Sequence, residues 1–124
     1  METKDLGKTS TGITANVAGL LCYVLGWVTG LIFFLIEKEN KFVRFHALQS
    51  IILFGGLTVL QIAIGILTSI FVGIGLAFFA PIFSIVTGLI ALLALILWIV
   101  LMVKAYQGEL FKLPVAGDIA EKNV

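Results

Sequence analysis

Charge is what this sequence lacks most. Of its 124 residues 12% are charged and 60% hydrophobic, with a mean hydropathy of +1.18, whereas soluble domains carry about a quarter charged residues. From Ala47 to Val103 there is no Asp, Glu, Lys or Arg, and about 20 such residues suffice to cross the hydrocarbon core of a bilayer. A water-soluble domain is excluded, and the composition describes an integral membrane protein. The single cysteine, Cys22, rules out an intramolecular disulfide and reads as a small packing residue within an apolar run. With one histidine and no acid in the apolar blocks, there is no acid–base pair, nucleophile–base pair or metal set. No enzymatic activity, cofactor or metal is therefore expected. A net charge of +1 without a clustered basic face argues against a nucleic-acid partner.

What is present arranges itself into three blocks: a polar N-terminal tail (1–10), a helical membrane domain (11–106) and an amphipathic C-terminal tail (107–124). The tail carries nothing apolar to bury and is expected to be mobile. Neither a cleavable signal nor a lipoprotein site is expected, because the apolar run that follows is too long and a Leu precedes Cys22. The pattern predicts an all-α membrane protein with three transmembrane helices and short interfacial segments, four helices being the alternative. The first helix is capped near Thr11 and runs from Ile13 to Ile36, about 36 Å at 1.5 Å per residue. Its Gly19, Gly26 and Gly30 fall on one smooth stripe, with Gly26-Trp-Val-Thr-Gly30 as a motif of close helix approach. Asn16 is either a headgroup contact or an interhelical hydrogen bond.

Two further helices fill the uncharged block, about Ala47 to Phe71 and Pro81 to Tyr106. They are separated where Gly73, Gly75 and Pro81 interrupt the helix. Gly65 with Ser69, and Ser84 with Gly88, repeat the small-residue stripe, while Gln61 lies at mid-membrane and needs a partner or water. The middle helix is expected to lie between the other two. Trp98, Lys104 and Tyr106 suit an interface belt. Gly108 should end the third helix, before an interfacial segment held by Leu110, Phe111, Leu113 and Val115. Three spans put Lys38, Lys41, Arg44, Lys104, Lys112 and Lys122 on one side and Lys4 and Lys8 on the other. The positive-inside rule then makes the C-terminus and the Glu37–His46 loop cytoplasmic and the N-terminus external, in a plasma-membrane protein.

The densest polar cluster, Glu37 to Ser50, opens with Asn40 as a plausible helix cap and carries Arg44, His46 and Gln49 beside Phe42 and Phe45. Two readings stay open. Either these residues form a polar site that binds an anionic lipid or a polypeptide, pH-dependent through His46, or Arg44 holds lipid phosphate while His46 fixes the turn through a carbonyl or the Glu37 or Glu39 carboxylate.

The run Phe-Val-Arg-Phe-His-Ala-Leu-Gln-Ser50, the preceding Gly-Trp-Val-Thr-Gly and the terminal Tyr106-Gln-Gly-Glu-Leu-Phe-Lys-Leu-Pro-Val-Ala-Gly-Asp118 resemble a known set. They are similar to small bacterial and archaeal membrane proteins of unknown function grouped as relatives of the Tic-twenty component of the chloroplast inner-envelope import channel. The resemblance implies a helical membrane protein, with Phe42, Arg44, Phe45, His46 and Gln49 as signature positions. Its plant relatives are drawn with four membrane helices. Two functions follow as expectations: an interaction, assembly or protein-insertion accessory that self-associates or binds a protein partner, or an oligomeric pore lined by Gln49, Thr58, Gln61 and Thr68.

Overall fold

The first apolar run folds back on itself, and this decides the architecture. The computed structural model describes residues 6–124, and its regular elements are helical. They are α1 (Ala15–Val24), α2 (Trp27–Ile36), α3 (Lys41–Ser50), α4 (Gly56–Gly73), α5 (Ala80–Tyr106) and α6 (Ala116–Lys122). A π-helical turn, Ile51–Gly55, joins α3 and α4 into one rod over Lys41–Gly73, and a 3-10 turn, Ala77–Phe79, leads into α5. Among the described residues, two helices are long and apolar enough to cross a membrane, Lys41–Gly73 and Ala77–Tyr106.

The expected single helix from Ile13 to Ile36 is instead two helices of ten residues, each about 15 Å long and so half of a roughly 30 Å hydrocarbon core. The break falls at Gly26, whose φ of 62° is left-handed and costs a residue with a Cβ about 1–2 kcal/mol. Thr29 stitches the elbow: its Oγ1 accepts from the Leu25 amide at 3.1 Å and donates to the Cys22 carbonyl at 3.3 Å. Gly26 is thus a turn rather than part of a continuous helix stripe, while Gly30, within α2, keeps the close approach expected of it. Beyond the turn α2 returns to where α1 began. The Ser10 amide, ahead of α1, bonds the two oxygens of Glu37, after α2, at 3.0 and 2.8 Å. Asn40 Nδ2 donates to the carbonyls of Leu6 at 2.8 Å and Lys8 at 3.0 Å. Residues 6–10 are therefore bonded in place rather than free. The N-cap of α1 is Thr14, while Thr11 makes only a local contact with the Ile13 amide.

The hairpin wedges into one half of the long pair. A Cβ added to Gly19 would lie 2.9 Å from Phe42 Cε1 and 3.4 Å from Ala105 Cβ, so α1 sits closely between α3 and α5 and a larger residue there would displace the Phe42 ring. In this half it is α1, not the middle helix, that lies between its neighbours. A Cβ on Gly30 would meet the Ala47 carbonyl and Ser50 Cβ at 2.9 Å, seating α2 closely on α3. Asn16 resolves as interhelical, donating to the Tyr106 carbonyl at 3.2 Å. Trp98 donates its indole N–H to the Tyr23 carbonyl at 2.6 Å, a second donor to an acceptor that also takes the Gly26 amide at 3.0 Å.

Beyond the elbow α4 and α5 have only each other. No residue of α4 is buried, and in α5 only Leu101 and Ala105 are. Gln61 finds its partner here, donating to the Thr87 carbonyl at 3.1 Å. Gly65, Ser69, Ser84 and Gly88 are exposed, and a Cβ on either glycine would meet nothing within 4 Å. That stripe is not a seam within the chain. The far turn falls in the expected place, with Gly75 at φ 89°, Pro81 in the first turn of α5, and Phe71 edge-on to Phe79 and Phe83 at 5.4 and 5.2 Å.

At the opposite end Gly108, at φ 78°, stops α5 as expected. The strap after it is held only in part by the expected apolar contacts: Phe111 and Leu113 pack on the core, whereas Leu110 and Val115 are 52% and 69% exposed.

Candidate functional site

The hairpin ends, the start of α3 and the C-terminal strap meet at one polar end, where the polar residues divide into two sets. The first closes the hairpin. The Glu37 carboxylate accepts from the amides of Ser10, Glu39 and Asn40, and the Asn40 side chain caps α3 by accepting from the Val43 amide at 3.1 Å. Arg44 Nη1 donates to the Phe34 carbonyl at 3.1 Å and the Glu37 carbonyl at 2.7 Å, and its guanidinium lies 4.2 Å over the Phe34 ring. A cation at the carbonyl end of α2 offsets the unpaired acceptors and the negative dipole end there. Arg44 thus serves the hairpin.

Burial pushes the Glu37 carboxyl upward, but its hydrogen bonds from Ser10, Asn40 and Glu39 outweigh this and hold it below the ordinary value of 4.5. A depressed folded value means that the contribution to stability is fully present above about pH 4.5 and is lost as pH falls through the folded value. Glu37→Gln should lower stability by about 2 kcal/mol, the size of a charge-assisted hydrogen-bond loss. It should also flatten the acid limb of a thermal-melt series in detergent. An unchanged acid limb would show that Glu37 does not close the hairpin.

The second set is a buried chain through Gln49, Tyr23 and His46. His46 Nε2 lies 2.9 Å from the Glu109 carbonyl, and Nδ1 lies 2.7 Å from the Tyr23 hydroxyl. A carbonyl can only accept, so Nε2 carries the proton and Nδ1 accepts from Tyr23, an assignment resting on the network. Gln49 Nε2 donates to the Tyr23 oxygen at 3.0 Å and the Phe111 carbonyl at 2.9 Å, and its Oε1 accepts from the Leu113 amide at 2.9 Å. All three side chains are fully buried, and no buried side-chain N or O among the described residues lacks a partner. His46 bonds a carbonyl rather than the Glu37 or Glu39 carboxylate, but that carbonyl belongs to Glu109, far along the chain, so the contact ties the C-terminal strap and not the turn that the sequence suggested. The chain fastens the strap onto α3 and α1. Phe42 and Phe45 pack edge-on against His46, with centroids 4.6 and 5.2 Å away.

The five signature positions therefore share one region without converging on a substrate. Tyr23, the hub of the network, and Gly117, whose added Cβ would lie 2.7 Å from Lys112 Cα and 2.9 Å from Gln49 Oε1, escaped the sequence reading. A lone tyrosine mid-run was the available signal, since a buried phenol needs a partner. Outside the network a groove of about 540 Å³ opens between α3 and the strap, walled by Leu6, Phe42, Phe45 and Leu110, with Lys41 and Glu121 among its lining residues.

Two apolar rods, a half-length hairpin and a polar end stitched by backbone and side-chain bonds define a small helical membrane protein. Comparison with known proteins supplies the family. Residues 8–120 match the model of the Magnetosome magnetite crystal formation protein family, and the chain belongs to that family. It is 53% identical over 117 residues to a UPF0132 membrane protein of Methanocaldococcus jannaschii, covering 94% of each chain. It is 47% identical over 109 residues to a UPF0132 membrane protein of Archaeoglobus fulgidus, covering 88% of this chain and 94% of the relative. No solved structure matches. A family of small prokaryotic membrane proteins of unknown function, and a membrane location, are what these likenesses support; kinship with the chloroplast import component is a separate matter.

Proposed function

We propose that this is a non-enzymatic, multi-pass membrane protein that works by lateral association, as an assembly or protein-insertion accessory, with its polar end in the cytoplasm. The observation that carries the reading is the bare outer half of α4 and α5, where no residue of α4 is buried and Gly65 and Gly88 face open space. Membrane helices associate through such small-residue surfaces. In this reading α1 and α2 form a re-entrant hairpin, allowed at membrane depth because the polar groups of its turn are paired within the protein: the Leu25 amide with Thr29 Oγ1, the Gly26 amide with the Tyr23 carbonyl and the Gly26 carbonyl with the Ser50 hydroxyl. Lys8, Lys38, Lys41, Arg44, Lys104, Lys112 and Lys122 then all belong to the polar end, and the opposite turn has no charge. That distribution favours a cytoplasmic polar end more strongly than three spans did, and it brings the N-terminal segment to the same side. Lys4 lies outside the described residues.

The oligomeric pore is the weaker reading, because its lining candidates are engaged internally. Gln49 is buried in the strap network, Gln61 bonds across to α5, and Thr58 and Thr68 bond the carbonyls of Phe54 and Ile64 on their own helix. The family description names magnetite crystal formation, yet among the described residues no group of three or more His, Cys, Asp or Glu is placed to hold a metal ion. The resemblance to the import component adds a polypeptide as one class of partner. Gly65→Leu with Gly88→Leu should weaken self- or partner association about tenfold, as a loss of about 1.4 kcal/mol would, without lowering the melting temperature. In-membrane crosslinking reads the change. Association untouched by the double variant, or a protein captured only as a lone monomer, would sink the proposal.

A further inference from the structure

The groove at the polar end has a chemistry that the association reading does not use. Its walls are apolar, and its volume of about 540 Å³ lies within the range of about 300–1,000 Å³ usual for small-ligand sites. The walls are fixed rather than loose, because Phe42 and Phe45 are buried and pack edge-on against His46, itself bonded at both ring nitrogens. Its charges are unequal in availability. Glu109 is paired with Lys104 at 3.2 Å and Glu121 with Lys112 at 2.8 Å, whereas Lys41 is exposed and, among the described residues, has no ion-pair partner. The groove therefore offers hydrocarbon walls and one available cation.

We infer that this groove holds a single anionic membrane lipid, its headgroup phosphate against Lys41 and the upper part of one acyl chain between Phe42, Phe45 and Leu110. Charge complementarity selects the anion. An extended peptide is the poorer fit, because its backbone would need hydrogen-bond partners and three of the backbone groups at the groove are already engaged. The amides of Gly108 and Glu109 bond Ala105 and Lys104 carbonyls at 3.0 Å each, and the Glu109 carbonyl bonds His46. A hydrocarbon chain needs none. The inference rests on the bilayer placement of the polar end proposed above, which sided labelling tests independently.

The test is native mass spectrometry of the full chain, purified in detergent and offered phosphatidylglycerol or phosphatidylcholine with the same acyl chains. The wild type should retain phosphatidylglycerol about fivefold better, as one basic side chain near an anionic headgroup implies. Lys41→Glu should erase the preference. Leu110→Trp, at an exposed position, should fill the groove and reduce retention of both lipids while leaving the melting temperature unchanged. Equal retention of the two lipids by the wild type, or an undiminished preference in Lys41→Glu, would overturn the inference. Displacement by glycerol phosphate as readily as by intact lipid would overturn the role given to the acyl chain. Photo-crosslinking from position 110 in cells that yields polypeptide and no lipid adducts would overturn the choice of occupant.

Discussion

Cysteines introduced at Lys8, Lys38 and Lys122 are expected to react with a membrane-impermeant maleimide from one and the same side, and a cysteine at Phe78 from the other. All four positions are exposed. The native Cys22 is fully buried, so it should contribute little background in the intact protein. The prediction follows from the double hydrogen bond of the Ser10 amide to Glu37 and from Asn40 reaching Leu6 and Lys8. Those contacts cannot form if a spanning helix separates residue 10 from residue 37. A helix of 24 residues would carry its ends about 36 Å apart. The expected effect is nearly all-or-none: Lys8→Cys should follow Lys38→Cys in whole cells and in inverted vesicles alike. Labelling of Lys8→Cys from the side of Phe78→Cys would restore the three-span topology and remove the re-entrant hairpin.

Why the hairpin was not legible is a matter of pattern. Residues 13–36 are apolar on every side, so they carry no periodic signal that would distinguish one spanning helix from two half-length helices. Glycine at position 26 suits a close helix crossing as well as an elbow, and only the positive φ decides. By contrast, the break around Gly75 and Pro81, the Asn40 cap, the stop at Gly108 and the burial of Cys22 each depend on local chemistry that a single sequence displays. The candidate site was legible as a region for the same reason, since Arg44, His46 and Gln49 are conspicuous beside 57 uncharged residues. Their partners were not, because Tyr23, Glu109, Phe111 and Leu113 come from distant parts of the chain, and three of the four contribute only backbone atoms. Backbone acceptors and donors leave no residue-type signature.

The strap network makes the second large prediction. Gln49→Met keeps the side-chain volume close to native and removes three hydrogen bonds, those to Tyr23, Phe111 and Leu113. Tyr23 retains His46 as its acceptor, so the loss falls mainly on the Phe111 carbonyl and the Leu113 amide, which must find water. The expected cost is about 3 kcal/mol, from two backbone groups at roughly 1–3 kcal/mol each with partial relief by solvent. The cheapest relief is local: residues 109–124 lift off α3 while α1, α2 and the long rods stay folded. Tryptic cleavage at Lys112 should then accelerate about a hundredfold, the factor to which about 2.7 kcal/mol of local opening corresponds, with helical content nearly unchanged. Gln49→Glu should be worse than Gln49→Met. A carboxylate keeps the bond from Leu113 but sets negative charge against the Phe111 carbonyl, and burying it without a cation is costly. If Gln49→Glu proves milder than Gln49→Met, the strap is held by its apolar contacts and Gln49 is not its anchor.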